Sequence, residues 1–226
     1  MSTFDAPAGP TIDCALLHAF DESNLDTVRG AFARATPVSM QQAWRSEPEP
    51  AFAPGVVRTG WRDRSLFVFA ELTDFDIFTN ATGHNQRLWE IGDAFEVFLC
   101  PAGQEAYAEF QVAPNNLQLQ LHFPDAGWRG RVSKEDAVLK ALMPPHSFRS
   151  RTWVEAGARQ WCVLAEIPSA SVCEEARPIE GDLWRFSFSR YDHTRGSQSP
   201  VISSTSPHPV PAFHRQQEWG LIRFRR

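Results

Sequence analysis

Apolar residues in this chain recur in short runs with a period of two, and scarcely anywhere with the period of a helix. Segment 116–123, NLQLQLHF, sets Leu117, Leu119, Leu121 and Phe123 on one face against Gln118, Gln120 and His122 on the other. That is the pattern of a half-buried strand. Segment 183–191, LWRFSFSRY, alternates as strictly, with Trp184, Phe186 and Phe188 opposed to Leu183, Arg185, Ser187 and Ser189. Further runs at 12–20, 36–45, 56–61, 65–73, 93–100, 107–114, 148–156, 160–167 and 218–224 are parted by turn signals such as RDRS, PAGQE and the Gly157 region. Segment 65–73 is apolar on both faces and reads as an interior strand. A chain built this way buries its apolar faces by packing sheet on sheet. The expected fold is therefore all-β: an antiparallel β-sandwich of about ten strands, jelly-roll-like with immunoglobulin-like layering, and minimal helix. SKEDAVLKAL and PSASVCEEA are the helical candidates, whereas DESNLDTVRG reads as a turn region.

The 226 residues fit one domain, 1–226, without internal repeat or low-complexity segment. Eight Trp and 17 Phe against two Tyr make the chain rich in rings that belong mostly in a core. A net charge of -5 argues against nucleic acid or an anionic membrane as the main partner. No run approaches the ~18 apolar residues of a membrane span. The first twenty residues lack a basic n-region and a long apolar h-region, so the chain is expected to be cytoplasmic or the mature form of an exported protein. Cys14, Cys100, Cys162 and Cys173 show no CxxC spacing. Free thiols are expected, although spacing alone leaves one or two disulfides open.

The motifs of nucleophile elbows, phosphate loops, zinc proteases and dinucleotide binding are absent. Asp93, Glu96, Glu109 and Glu166 lie on strands, but a glycosidase needs two carboxylates facing each other across a cleft, which sequence does not place. Asp74 and Asp76 flank Phe75 in TDFDIF. They suit either an oxygen-rich structural Ca2+ site or turn aspartates that bond their own backbone. Trp89 precedes an apolar strand and is either a platform for a ligand or part of the core. Trp128, Phe213 and His214 lie in loops. Aromatic rings on loops at one end of a sandwich suit a pyranose, whose C–H face stacks on a ring while its hydroxyls need fixed polar partners.

The ordered set TGWRDRSLFVFAELTDFDI, LWEIGDAFEVFLCP, YAEFQVAPNN, WCVLAEIPSASV, GDLWRFSFSRYD and FHRQQEWGLIRF resembles carbohydrate-binding module family 9, also grouped with the DOMON-like domains. The resemblance runs from about residue 10 to the C-terminus, and its most specific element is the one from Trp89 through Glu96 to Phe98. It implies noncatalytic binding of glucan or xylan reducing ends, in modules associated with glycosyl hydrolases. Two tryptophans clamp the sugar in that family. Trp89 matches the first and Glu96 a binding-site glutamate. The second clamp position falls at Phe213 or His214, and the family's binding arginine falls at Gln111. WEIGDAFE is also one residue longer than the shortest family form. The implied ligand set is Trp89, Glu96, Gln111, Asn115, Phe213 and His214. Residues 21–55 exceed a minimal module and are expected to cover or reshape the site. Three other readings stand beside it: a haem-binding DOMON relative with Met40, Met143 or a histidine as axial ligand, a glycoside-acting enzyme, and a structural or partner-binding domain whose loop aromatics merely pack.

Overall fold

The computed structural model describes residues 8–174, 176 and 178–226, with backbone alone at 134 and 135. Expectations touching residues 1–7, or Glu175 within PSASVCEEA, lie outside the described residues. The strands are β1 (Thr11–Leu16), β2 (Val38–Ser39), β3 (Gly55–Arg62), β4 (Ser65–Thr73), β5 (Ala94–Pro101), β6 (Tyr107–Val112), β7 (Gln118–Phe123), β8 (Arg149–Glu155), β9 (Gln160–Pro168), β10 (Leu183–Asp192), β11 (Val201–Ser204) and β12 (Gly220–Arg225). They form one sheet in the order β7-β6-β5-β10-β12-β1-β3-β4-β9-β8, with β11 on β10 and β2 on β3.

β1 runs parallel to both β12 and β3. The other named pairings are antiparallel. The chain is mostly β as expected, but the pairing is mixed rather than purely antiparallel: one curled sheet in which β1 joins two antiparallel halves. Val97, Phe110 and Phe188 of one half share a core with Val57, Val68 and Val163 of the other. Phe110 meets Phe148 at 5.0 Å between ring centroids. Each fully buried side chain of this size contributes about 1.5–3 kcal/mol. β4 is interior as expected, lying between β3 and β9. RDRS closes the β3–β4 hairpin with a two-residue turn, Asp63 at φ 55°.

The curl brings the end strands β7 and β8 close, bridged by side chains. Gln118 Nε2 donates to Ser150 Oγ at 2.6 Å and Asn116 Nδ2 to the Ser150 carbonyl at 3.1 Å. Gln118 and Gln120 are consequently buried, which corrects the half-buried reading of this segment. Gln120 Nε2 is satisfied by Asn85 Oδ1 at 2.7 Å.

Four α-helices occur among the described residues: α1 (Leu25–Phe32), α2 (Leu88–Ile91), α3 (Lys134–Ala141) and α4 (Ser169–Val172). α3 and α4 fall in the two helical candidates. α1 falls where a turn was expected. Asn24 Oδ1 caps it by accepting from the backbone N–H of Asp26 at 2.9 Å and Thr27 at 3.3 Å. Val28 and Phe32, one turn apart, bury against Phe67 and Phe69 on the outer face of β4. Run 36–45 shrinks to β2 and a bridge from Gln41 to Ser204, and β11 was not anticipated. All four cysteines are free thiols. No described helix is long and apolar enough to cross a membrane.

Candidate functional site

Alternation on β5 and β6 builds the site. Phe95, Val97 and Leu99 of β5, with Ala108, Phe110 and Val112 of β6, face the main core. The residues between them, Glu96 on one strand and Glu109 and Gln111 on the other, therefore share the outer face. Glu96 lies directly opposite Gln111 in the register. Around this patch stand Trp89 of α2, Arg129 of a 3₁₀ turn (Trp128–Arg131), Val138 of α3 and the loop bearing Phe213 and His214. Together they enclose a cleft of about 680 Å³.

Its floor is acidic and buried. Glu96 and Glu109 are each 3% exposed and Gln111 is fully buried. Gln111 Nε2 donates to Glu96 Oε1 at 2.7 Å and to Glu109 Oε1 at 2.5 Å, so both protons of one amide hold two carboxylates together. Burial, reinforced by the charge of Glu109, pushes the Glu96 carboxyl well above the usual range. Burial likewise lifts Glu109 to about 7, against the hydrogen bond from Gln111. His214 Nε2 lies 3.6 Å from Glu109 Oε2, beyond a hydrogen bond, while its Nδ1 pairs with the Tyr107 hydroxyl at 2.8 Å. Burial holds the His214 imidazole well below its ordinary pKa and hence neutral.

Trp89 is both wall and core. It packs, half-buried, against the aromatic cluster of Phe98, Phe123 and Trp219, and it also lines the cleft. Its backbone carbonyl lies 3.0 Å from His193 Nε2, and the His193 N–H donates to Asp93 Oδ1 at 2.8 Å. Asp93 is fully buried and its other oxygen accepts from the Phe78 N–H at 2.7 Å. Burial and the neighbouring charge of Asp74 lift it to about 8.

The structure brings together Trp89, Glu96, Gln111, Phe213 and His214. Phe213, however, is 4% exposed, packed between Trp44 and Tyr191, so little of its ring is open for stacking. Asn115 is not in the cleft. Its Nδ2 donates to the Ala81 carbonyl at 2.9 Å, and it lines a separate groove beside β7 and β8. Residues 21–55 do not line the cleft either: α1 covers the opposite outer face, and Trp44 reaches only the back of Phe213. Met40 and Met143 pack on the main core, away from the cleft.

Asp74 and Asp76 form the expected aspartate turn, the Asp76 N–H donating to Asp74 Oδ1 at 2.9 Å, but their other contacts differ. Asp76 pairs with Arg195, whose N–H it accepts at 2.7 Å. Asp74 instead groups with Asp93 and Asp192, their oxygens within 4.8 Å of one another. These donors suit a hard cation, but the buried Arg190 guanidinium already lies 2.9 Å from Asp74 and 3.1 Å from Asp192. An ion here would compete with that guanidinium.

The sequence reading did not place Glu109 and Arg129 among the ligand contacts. Glu109 had a signal: it shares parity with Gln111 two residues on, and so shares its face. Arg129 had none, because the turn that carries it is fixed by tertiary packing.

No family model and no curated protein sequence matches the chain. Solved structures do. A module of carbohydrate-binding family 9 from Caldicellulosiruptor kristjanssonii, in complex with cellotriose, superposes with a TM-score of 0.65 at 16% identity, covering 95% of this chain and 93% of that one. The fold is that of carbohydrate-binding module family 9. A family 9 module from the same organism in complex with glucose gives 0.63 at 16% identity, covering 95% of each chain. A Bacteroides uniformis protein whose carbohydrate binding is itself inferred gives 0.71 at 17% identity, covering 96% of this chain and 99% of that one. The family 9 fold thus accounts for nearly the whole chain.

Proposed function

We propose that the chain, acting as one module, binds carbohydrate in the cleft without catalysing a reaction. The observation that carries this reading is a half-buried indole, Trp89, beside a buried polar floor of Glu96, Glu109 and Gln111. A ring face and fixed hydrogen-bond partners are the two things a pyranose requires. Structures of the same fold in complex with cellotriose and glucose support it. Trp89 supplies the stacking face, the three floor residues read hydroxyls, and His214 and Arg129 line the rim. The ligand is a glucan- or xylan-type oligosaccharide, engaged through its reducing end, in carbohydrate catabolism. Hydrolysis through the two acids fits less well. It requires two acids on opposite sides of the scissile bond, whereas Glu96 and Glu109 lie side by side on one floor, joined by the Gln111 amide.

Tryptophan fluorescence titration with xylo- and cello-oligosaccharides tests the reading. Saturable change that disappears in Trp89→Ala is expected. A titration flat for every sugar overturns it.

A further inference from the structure

The floor of the cleft is one-sided in its hydrogen bonding. Both N–H groups of the Gln111 amide are engaged by the acids. Two buried oxygens, Glu109 Oε2 and Gln111 Oε1, have no hydrogen-bond partner among the described residues, and both residues line the cleft. Buried polar atoms without partners carry a free-energy cost that a ligand relieves by supplying the missing group. Here the missing groups are donors. What enters must bring N–H or O–H to a place where two carboxylates already lie close together, held by one amide.

A hydroxyl meets this demand weakly, since it offers one proton and carries lone pairs that need donors of their own. A primary ammonium offers three donors, no lone pair and a charge opposite to that of an ionised Glu109. Hydrogen bonds between ionised groups are roughly twice as strong as neutral ones. We propose that the cleft prefers a sugar bearing a free primary amine, a 2-amino-2-deoxy hexose or an oligomer of one, over its hydroxyl counterpart. This rests on the carbohydrate-binding reading and names the sugar class within it.

The groups facing the acid pair are consistent with such a cation. Arg129 stands exposed at the rim, and its charge reaches both acids, lowering them against the effect of burial, but it makes no ion pair with either. Arg87 and Glu90 face each other at the mouth at 3.3 Å. The partly buried His214 imidazole is neutral, and burial pushes the hydroxyls of Tyr107 and Tyr191 up, so neither is charged at neutral pH. Placing the ammonium against Glu109 favours its ionised form, so binding transfers a proton from the floor to solvent.

Calorimetric titration of the full chain at neutral pH with glucosamine, glucose and N-acetylglucosamine provides the test, each run in two buffers of different ionisation enthalpy. Glucosamine is expected to bind about tenfold more tightly than glucose, with proton release that glucose does not show. N-acetylglucosamine, which has the nitrogen without the charge, gains nothing over glucose. In Glu109→Gln the ratio of glucosamine to glucose affinity falls towards one. Should that variant not fold, the proton release of the unaltered chain decides. Glucose binding as tightly as glucosamine, without differential proton release, overturns the amine preference and leaves carbohydrate binding standing. Binding of none of the three sugars, nor of a cello-oligosaccharide, removes the carbohydrate reading and this inference with it.

Discussion

The two outer faces of the sheet begin from the same period-two pattern and end differently. On β4 and β9 the outward residues include Phe67, Phe69, Cys162 and Leu164, and α1 closes over them with Val28 and Phe32. On β5 and β6 the outward residues include Glu96, Glu109 and Gln111, and the face stays open as the cleft. The carboxylates differ as well. Glu71, at the margin of the helix-covered face, has an arginine on each oxygen: Arg29 at 3.0 Å and Arg58 at 2.9 Å. Glu96 and Glu109 have one amide between them. An acid with its own cations is structure. A buried acid pair joined by an amide, with Arg129 only at the rim of a cleft walled by a tryptophan, is open to something that arrives from solution.

The largest expected effect breaks the closed face alone. Phe32→Ala should lower unfolding free energy by about 3–5 kcal/mol in urea titrations, with oligosaccharide affinity unchanged once the variant is folded. A parallel loss of affinity would show that the faces are not independent. Trp89→Ala should do the reverse. Its ring is only half-buried, so about 2 kcal/mol of stability is lost, while sugar binding disappears.

The acid pair sharpens the contrast through pH. Glu109 in the folded chain keeps a proton that the unfolded chain releases near 4.5, up to about 7. The folded state binds more protons in that window, so stability falls as pH rises through it. Glu96 acts in the same direction, as does Asp93, lifted to about 8. The imidazoles of His122, His208 and His214, lowered by burial, oppose this up to about 6.5, so melting temperatures should fall from there to about 8, and Glu109→Gln should flatten part of that slope. At neutral pH, removing this buried acid should leave the fold as stable or more so. The smallest effect has the opposite sign: Glu71→Gln removes two partly exposed ion pairs and should cost about 1 kcal/mol.

Much of the fold is legible in the sequence because its strands alternate locally. LWRFSFSRY and SLFVFAELT carry their own pairing faces, and β10 and β4 follow directly. β1 is different. Its parallel pairing on both sides is a long-range choice that TIDCAL cannot encode, so the mixed sheet was not readable. α1 was missed because its signals, the Asn24 cap and the Val28–Phe32 pair, are brief beside a turn-like composition. The site divides along the same line. Trp89, Glu96 and Gln111 meet because a local alternation and one strand pairing bring them together. Asn115 sits past the end of the β6 pattern, where the chain turns towards β7 and leaves the cleft. Phe213 is claimed by Trp44, a contact across well over a hundred residues that composition does not announce.

The open face is the binding face in this account, and residue-resolved NMR tests that most directly. Titrating the labelled chain with cellotriose should move the Trp89 indole and the amides of Glu96, Glu109 and Gln111. Resonances of Phe67, Phe69 and Cys162 under α1 should stay still. Shifts gathered instead at α1, or in the groove beside Asn115, would contradict the assignment of the cleft as the site.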